Sequence, residues 1–385
     1  MRGLNLKRLI FGTFRYIKEK LSMFIFGFLP ISEKRIMFMS YYGKHTNCNP
    51  FAIYEEIKKN NFQFECVWVD NTQSVGDRSV KYRSIAFYYY VRTSRFLIFN
   101  ARPNFDIKKR KQQFYIQTWH SSLGFKMIEK DAEKTLDKKY VKNAKKDSQY
   151  IDLLISGCKF RTECFRRNFW YNGEIAEIGT PRNDIFFSND RALIIANTKK
   201  ELGIADTDKV ILYAPTFRNS NDLSYATSLN VDTLLTELKN KYSGEWKFVY
   251  RLHPNVSQKS ELPQGAINAS SYKDMQALLL MSDILLTDYS SVMFDFMLLN
   301  RPCFLYTPDY DRYKKNERDT YFAIFELPFD MSLTNDELCR SIQRFDENEY
   351  QAKISDFQQA IGSFENGTAC KRIVDIMMRW MEQEL

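Results

Sequence analysis

The sequence lacks most of the short signatures by which a chain declares its chemistry. Its seven cysteines include no Cys-x-x-Cys pair, which argues against a zinc knot or a disulfide framework and fits a reducing compartment. No Gly-x-x-x-x-Gly-Lys-Ser/Thr loop occurs and no Gly-x-Gly-x-x-Gly follows a strand, so a P-loop nucleotidase and a dinucleotide-binding oxidoreductase are disfavoured. The apolar run at 21–30 stops at about half the ~20 residues a bilayer span needs, and no small-residue cleavage site follows it, which disfavours a signal peptide. There is no low-complexity tract and no solenoid repeat. Histidine is also scarce, with three in the chain, so the placement of each is informative.

What is present describes a large folded protein. A length of 385 residues exceeds the usual reach of one core, which predicts two domains. The formal charge of +9 favours an anionic partner. The charge is spread along the chain without a nucleic-acid motif, so no nucleic-acid partner is expected. Residues 1–32 mix Lys7, Arg8, Arg15, Lys18 and Lys20 with Leu9, Phe11, Phe14, Ile17 and Phe24. Two readings fit this segment: a basic amphipathic helix on an anionic membrane surface, or a helix packed on the first domain.

From residue 35 onward short apolar runs alternate with helical patterns. Strands are predicted at 35–41, 64–70, 96–100, 114–119 and 151–156, with helices at 50–59 and 84–95. A second series has strands at 209–215, 246–252, 283–287 and 303–306, with helices at 231–242, 272–281 and 291–299. Continuous apolar strands separated by helices predict an α/β fold of parallel sheets covered on both faces. The expected division is 33–190 for a first Rossmann-like, doubly wound domain and 191–385 for a second. Residues 368–384 either close the second domain or return to the first. Ligands of such sheets bind beyond the carboxyl ends of the strands, so two facing domains make a central cleft.

The candidate chemistry falls at those strand ends. His120 follows a buried strand, where an imidazole can serve as general base, and His253 repeats the placement after 246–252. Arg251 and His253 stand two apart and leave the same strand face, able to neutralise a pyrophosphate without a metal; the alternative for His253 is a satisfied histidine under the Pro254 turn. His45 has no strand-end setting and receives no role. At 287–295 a strand ends in Thr287 and Asp288, and Ser290 and Ser291 stand where a helix begins, with Asp295 one turn further on. Backbone N–H groups and serine hydroxyls there form a phosphate cradle, or an ordinary serine cap. A second cradle candidate is Gly179-Thr-Pro-Arg-Asn-Asp184, where Arg182 can fork onto a phosphate. Thr216, Phe217 and Arg218 lie beyond another strand. Asp309-Tyr-Asp311 has the form of a metal-binding carboxylate pair, a triplet also common in loops, and no metal or cofactor is expected.

These blocks resemble the CDP-glycerol glycerophosphotransferase family, which makes teichoic acids and related capsular polymers. The resemblance is carried by Gln117-Thr-Trp-His-Ser-Ser-Leu-Gly124, Gly179-Thr-Pro-Arg-Asn-Asp184, Ala214-Pro-Thr-Phe-Arg218, Arg251-Leu-His-Pro254 and Thr287-Asp-Tyr-Ser-Ser-Val-Met-Phe-Asp295. It implies a GT-B architecture and metal-independent transfer of glycerol phosphate, or a related polyol phosphate, from a CDP-activated donor, with CMP leaving. The acceptor would be a hydroxyl of a lipid-linked saccharide or growing polymer at the cytoplasmic face of the membrane. Carried over by position, His120 and His253 are catalytic. Ser121, Ser122, Gly124, Arg182, Thr216, Phe217, Arg218, Arg251, Asp288, Ser290, Ser291 and Asp295 bind substrate. The family commonly has glycine directly after the first histidine, where this chain has Ser121. Two other functions suit the same fold: a nucleotide-sugar glycosyltransferase, and a silent binder of anionic lipid or glycan.

Overall fold

The computed structural model describes residues 2–72, 78–216, 218, 228–252, 265–316 and 319–383. The first sheet contains β1 (Ser32–Met39), β2 (Glu65–Val69), β3 (Arg78–Val80), β4 (Ser94–Phe99), β5 (Phe114–Gln117), β6 (Leu153–Ser156) and β7 (Glu174–Glu177), in the order β3-β2-β1-β4-β5-β6-β7. The second contains β8 (Lys209–Tyr213), β9 (Trp246–Tyr250), β10 (Ile267–Asn268), β11 (Ile284–Thr287), β12 (Cys303–Tyr306) and β13 (Asp330–Ser332), in the order β10-β9-β8-β11-β12-β13. Every strand pairing is parallel. The cause is legible in β4, β5, β6, β11 and β12, whose residues are all buried. Such runs need helices on both faces.

Those helices divide the core into layers. One face of the first sheet packs Phe87, Tyr88 and Val91 of the helix Ile85–Thr93, together with Met23 of the N-terminal helix Arg2–Ile25. The opposite face packs Ile53 and Ile57 of Cys48–Lys59 against Ile373, Val374 and Met377 of Ala369–Gln383. The final helix therefore returns to the first sheet. Trp380 lies 4.9 Å from Phe114 and 5.7 Å from Phe96, under the Arg95 guanidinium. Burying Ile373, Val374 and Met377 contributes about 1.5–3 kcal/mol each, enough to clasp the second half of the chain to the first.

Several elements differ from the sequence expectation, among them three edge strands and one helix. The edge strands β3, β10 and β13 are only two or three residues long, too short for a periodic signal and held by pairing with a longer neighbour. The helix expected at 291–299 is the α-helix Val292–Phe296 followed by the 3-10 turn Met297–Leu299. Among the described residues no helix is long and apolar enough to cross a membrane.

Candidate active site

Parallel strands deliver their carboxyl ends to one edge of each sheet, and the two edges meet. Asn100 follows β4, His120 follows β5, and residues 288–291 follow β11. Between β5 and His120 the chain turns through Trp119, whose φ of +50° is the left-handed region. That conformation costs a bulky residue about 1–2 kcal/mol. Asn49 offsets it by donating from Nδ2 to the carbonyls of Thr118 (3.2 Å) and Trp119 (3.0 Å), and Gln117 Oε1 accepts from the Trp119 N–H.

The strained turn presents His120 with a defined tautomer. Its Nδ1 lies 2.9 Å from the Asn100 carbonyl oxygen. A carbonyl only accepts, so Nδ1 carries the proton and Nε2 presents its lone pair. The ring stacks on Trp119 at 4.5 Å and meets Tyr41 edge-on at 5.7 Å. Burial holds its pKa down to about 4; Arg182 and Arg161 push the same way, against the Asn100 bond. At neutral pH the imidazole is therefore an uncharged base.

A bonded cluster anchors this loop across the cleft. Ser122 Oγ donates to Asp295 Oδ1 at 2.7 Å, and the Phe125 N–H donates to Ser291 Oγ at 3.1 Å. Arg182 bridges from below, with Nη1 donating to the His120 carbonyl at 2.8 Å and Nη2 to Asp295 Oδ2. Asn183 and Gln276 complete the Asp295 carboxylate. Burial works against the Arg182 charge and the Asp295 carboxylate outweighs it, so the arginine pKa is raised. Ser291 caps the short helix Val292–Phe296 without a side-chain cap bond, because its hydroxyl faces the first domain instead. Ser290 Oγ accepts from the Val292 N–H at 3.4 Å.

The motif at 179–184 is a joint. Gly179 has φ +93°, a conformation open to glycine. The Thr180 N–H donates to Glu365, and Asp184 accepts from the Ala369 and Cys370 N–H groups at 3.1 and 2.7 Å, capping the returning helix. Burial raises the Glu365 pKa to about 8. At Gly124 a Cβ would meet the end of the Arg161 side chain, 2.5 Å from Nη2.

Thr216, Arg218 and Asp288 form a second cluster. Asp288 accepts from the Thr216 N–H and from Arg218 Nη2, both at 2.8 Å, while Arg218 also pairs with Asp309 at 2.9 Å and lies over Tyr289 and Tyr313. This pins the loop after β8 to the loop after β11. Thr216 Oγ1 is buried with no hydrogen-bond partner among the described residues. Arg251 donates to the Tyr272 carbonyl at 2.5 Å, tying β9 to the loop after β10. Asp309 is thus engaged by arginine, and among the described residues no group of three or more His, Cys, Asp or Glu side chains is placed to hold a metal ion. Phe217 and His253 lie outside the described residues.

Sequence reasoning missed Asn49, Asn100, Arg161 and Gln276. Each is a lone polar residue whose partner is remote in sequence, and no local pattern marks it.

The chain as a whole is similar to proteins of one family. The family model for CDP-glycerol:poly(glycerophosphate) glycerophosphotransferase matches residues 21–379. The teichoic acid poly(glycerol phosphate) polymerase of Bacillus spizizenii is 32% identical over 373 residues, covering 92% of this chain and 94% of the relative. The polymerase of the same name from Bacillus subtilis is 31% identical over 370 residues, covering 91% of this chain; the chain spans 49% of that relative. A variant of the wall teichoic acid polymerase TagF, soaked with CDPG, superposes with a TM-score of 0.86 at 29% identity, covering 99% of this chain and 97% of the other. The strained turn that carries His120 and the joint that carries Arg182 thus sit within the matched span, and the chain belongs to the CDP-glycerol:poly(glycerophosphate) glycerophosphotransferase family.

Proposed function

We propose that this protein transfers glycerol phosphate from CDP-glycerol to a hydroxyl of a teichoic acid polymer or its linkage unit, releasing CMP. The observation that carries the reading is the His120 geometry: Nδ1–H bonded to Asn100, Nε2 free, and the loop held at the meeting of the two sheets. In this reading Nε2 takes the proton of the acceptor hydroxyl as its oxygen attacks the β-phosphorus. The phosphorus–oxygen bond to CMP breaks, and the electron pair leaves with CMP. CMP departs as a stable phosphate anion, so charge neutralisation matters more than a general acid. The residues proposed to supply it are Arg251 and His253, with Thr216 and the N–H groups near Ser290 and Ser291 as donors. Arg182, Asp288, Arg218 and Asp295 hold these loops in place. The reaction as proposed needs no metal, and two parallel sheets whose strand ends meet support a GT-B reading of the fold.

The proposed setting is the cytoplasmic face of the membrane, with a lipid-linked acceptor. The N-terminal helix supports it. Phe14, Ile17, Leu21, Phe24 and Phe28 are 55–75% exposed, whereas Glu19, Ser22 and Met23 face the protein. Their spacing places them on one helical face, an apolar stripe suited to an anionic leaflet beside Arg15 and Lys20. Replacing Phe14, Leu21 and Phe24 with serine in the full chain should abolish flotation with anionic liposomes.

The central test is CMP release from CDP-glycerol with a purified teichoic acid acceptor. His120→Ala should slow it by roughly 10²–10⁴-fold while the protein stays folded. Absence of acceptor-dependent CMP release with both CDP-glycerol and CDP-ribitol would overturn the proposal.

A further inference from the structure

One buried cation beside the site has no counter-charge. Arg161, near the start of the helix Lys159–Asn168, is 1% exposed. Among the described residues it pairs with no carboxylate, and its Nε and Nη1 have no hydrogen-bond partner. Its compensation is the Phe165 ring at 4.9 Å and one hydrogen bond from Nη2 to Ser121 Oγ at 2.6 Å. Gly124 permits that approach. Leaving a buried charge unpaired is costly in a folded protein, and its retention calls for an anion supplied by something else.

The single bond fixes what Ser121 can do. A guanidinium never accepts, so the serine oxygen is the acceptor and its own hydrogen is left free to donate. Ser121 is half-buried and adjoins His120, and no protein acceptor for its hydroxyl is present among the described residues. A hydroxyl already accepting from a cation is a polarised donor. Ser122 differs, since its hydroxyl is taken by Asp295.

We infer that the Ser121 hydroxyl, polarised by Arg161, binds the phosphate that is transferred, with Arg161 as a positioning residue that acts through the serine. The inference rests on the function proposed above for the choice of ligand. It places a phosphate oxygen against Ser121 and the acceptor hydroxyl against His120, so the group being attacked and the group being deprotonated are held by adjacent residues.

Calorimetric binding of CDP-glycerol and of CMP, measured without acceptor, separates this role from a structural one, because CMP lacks the transferred phosphate. Ser121→Ala and Arg161→Met should each weaken CDP-glycerol binding roughly 10- to 100-fold, the range for a hydrogen bond to a charged group. CMP affinity should stay within about twofold. The double variant should be no worse than the weaker single, since the two act as a unit. Ser121→Thr keeps the hydroxyl and should retain most of the affinity, which preserves the test if Arg161→Met fails to fold. Equal losses for CMP and CDP-glycerol, losses that multiply in the double variant, or wild-type affinity in Ser121→Ala would each overturn the inference. Failure of CMP release in the wild type would bear on the proposed function instead.

Discussion

Two fully buried arginines in the first domain make opposite use of the same charge. Arg102, 3% exposed, sits between Glu129 at 3.2 Å and Asp147 at 3.0 Å, with the Phe169 ring 3.9 Å from its guanidinium carbon. Arg161 has a ring and a hydroxyl but, among the described residues, no carboxylate. The first is charge-balanced without help, and it braces the loop after β4 against the helix Lys138–Ser148. The second is balanced only if an anion arrives. The contrast separates a cation that holds a fold together from one that stands ready for a substrate.

Removing either arginine should have a distinct consequence. Arg102→Met would strand Glu129 and Asp147 without their cation, and urea unfolding should show a loss of about 3–5 kcal/mol. Burial already raises the Asp147 pKa to about 6, so the variant should partly recover in mild acid, where that carboxyl is protonated. Glu365 is the acidic counterpart of Arg161, buried with Oε1 unpartnered among the described residues. Its pKa is raised to about 8, so its contribution to stability is fully present below the unfolded value of about 4.5 and is lost as pH rises toward 8. Glu365→Gln should flatten that slope and leave the protein on the order of 2 kcal/mol more stable than wild type at pH 8, by thermal unfolding across pH. Arg161→Met should move stability opposite to Arg102→Met, raising it by roughly 1 kcal/mol, because an uncompensated charge is replaced by an apolar chain.

The smallest expected effect is on the pH profile. With His120 near 4, the acid limb of kcat/KM should fall close to pH 4 and activity should persist well below the usual imidazole range. Removing the Arg161 charge should shift that limb upward by a fraction of a unit, since a nearby cation disfavours protonation. An unmoved limb would show that Arg161 does not reach the imidazole electrostatically.

The strand ends were legible because chemistry there is local. A buried apolar run, then a histidine or a serine pair, marks β5 and β11 without any knowledge of the fold. The 179–184 motif was visible for the same reason, yet its partners were not. Arg182 bonds the His120 carbonyl and Asp295, and Asp184 caps a helix that begins nearly two hundred residues later. Asn49 and Asn100 carried no local mark, although one pins the strained turn and the other sets the histidine tautomer.

By itself the sequence determined two parallel α/β sheets and the edge at which their polar residues gather, because continuous apolar runs separated by helical patterns are written residue by residue along the chain. It also singled out His120 as the candidate base, at the end of a buried strand. Only the tertiary structure decided which charges are paired. Asp295 meets Arg182 and Ser122, and Asp288 meets Arg218, across gaps of seventy residues or more. Arg161 is left with a serine. Pairing depends on distance in space, which a linear pattern does not encode, and burial then makes each such pairing decisive by removing the water that would otherwise screen it.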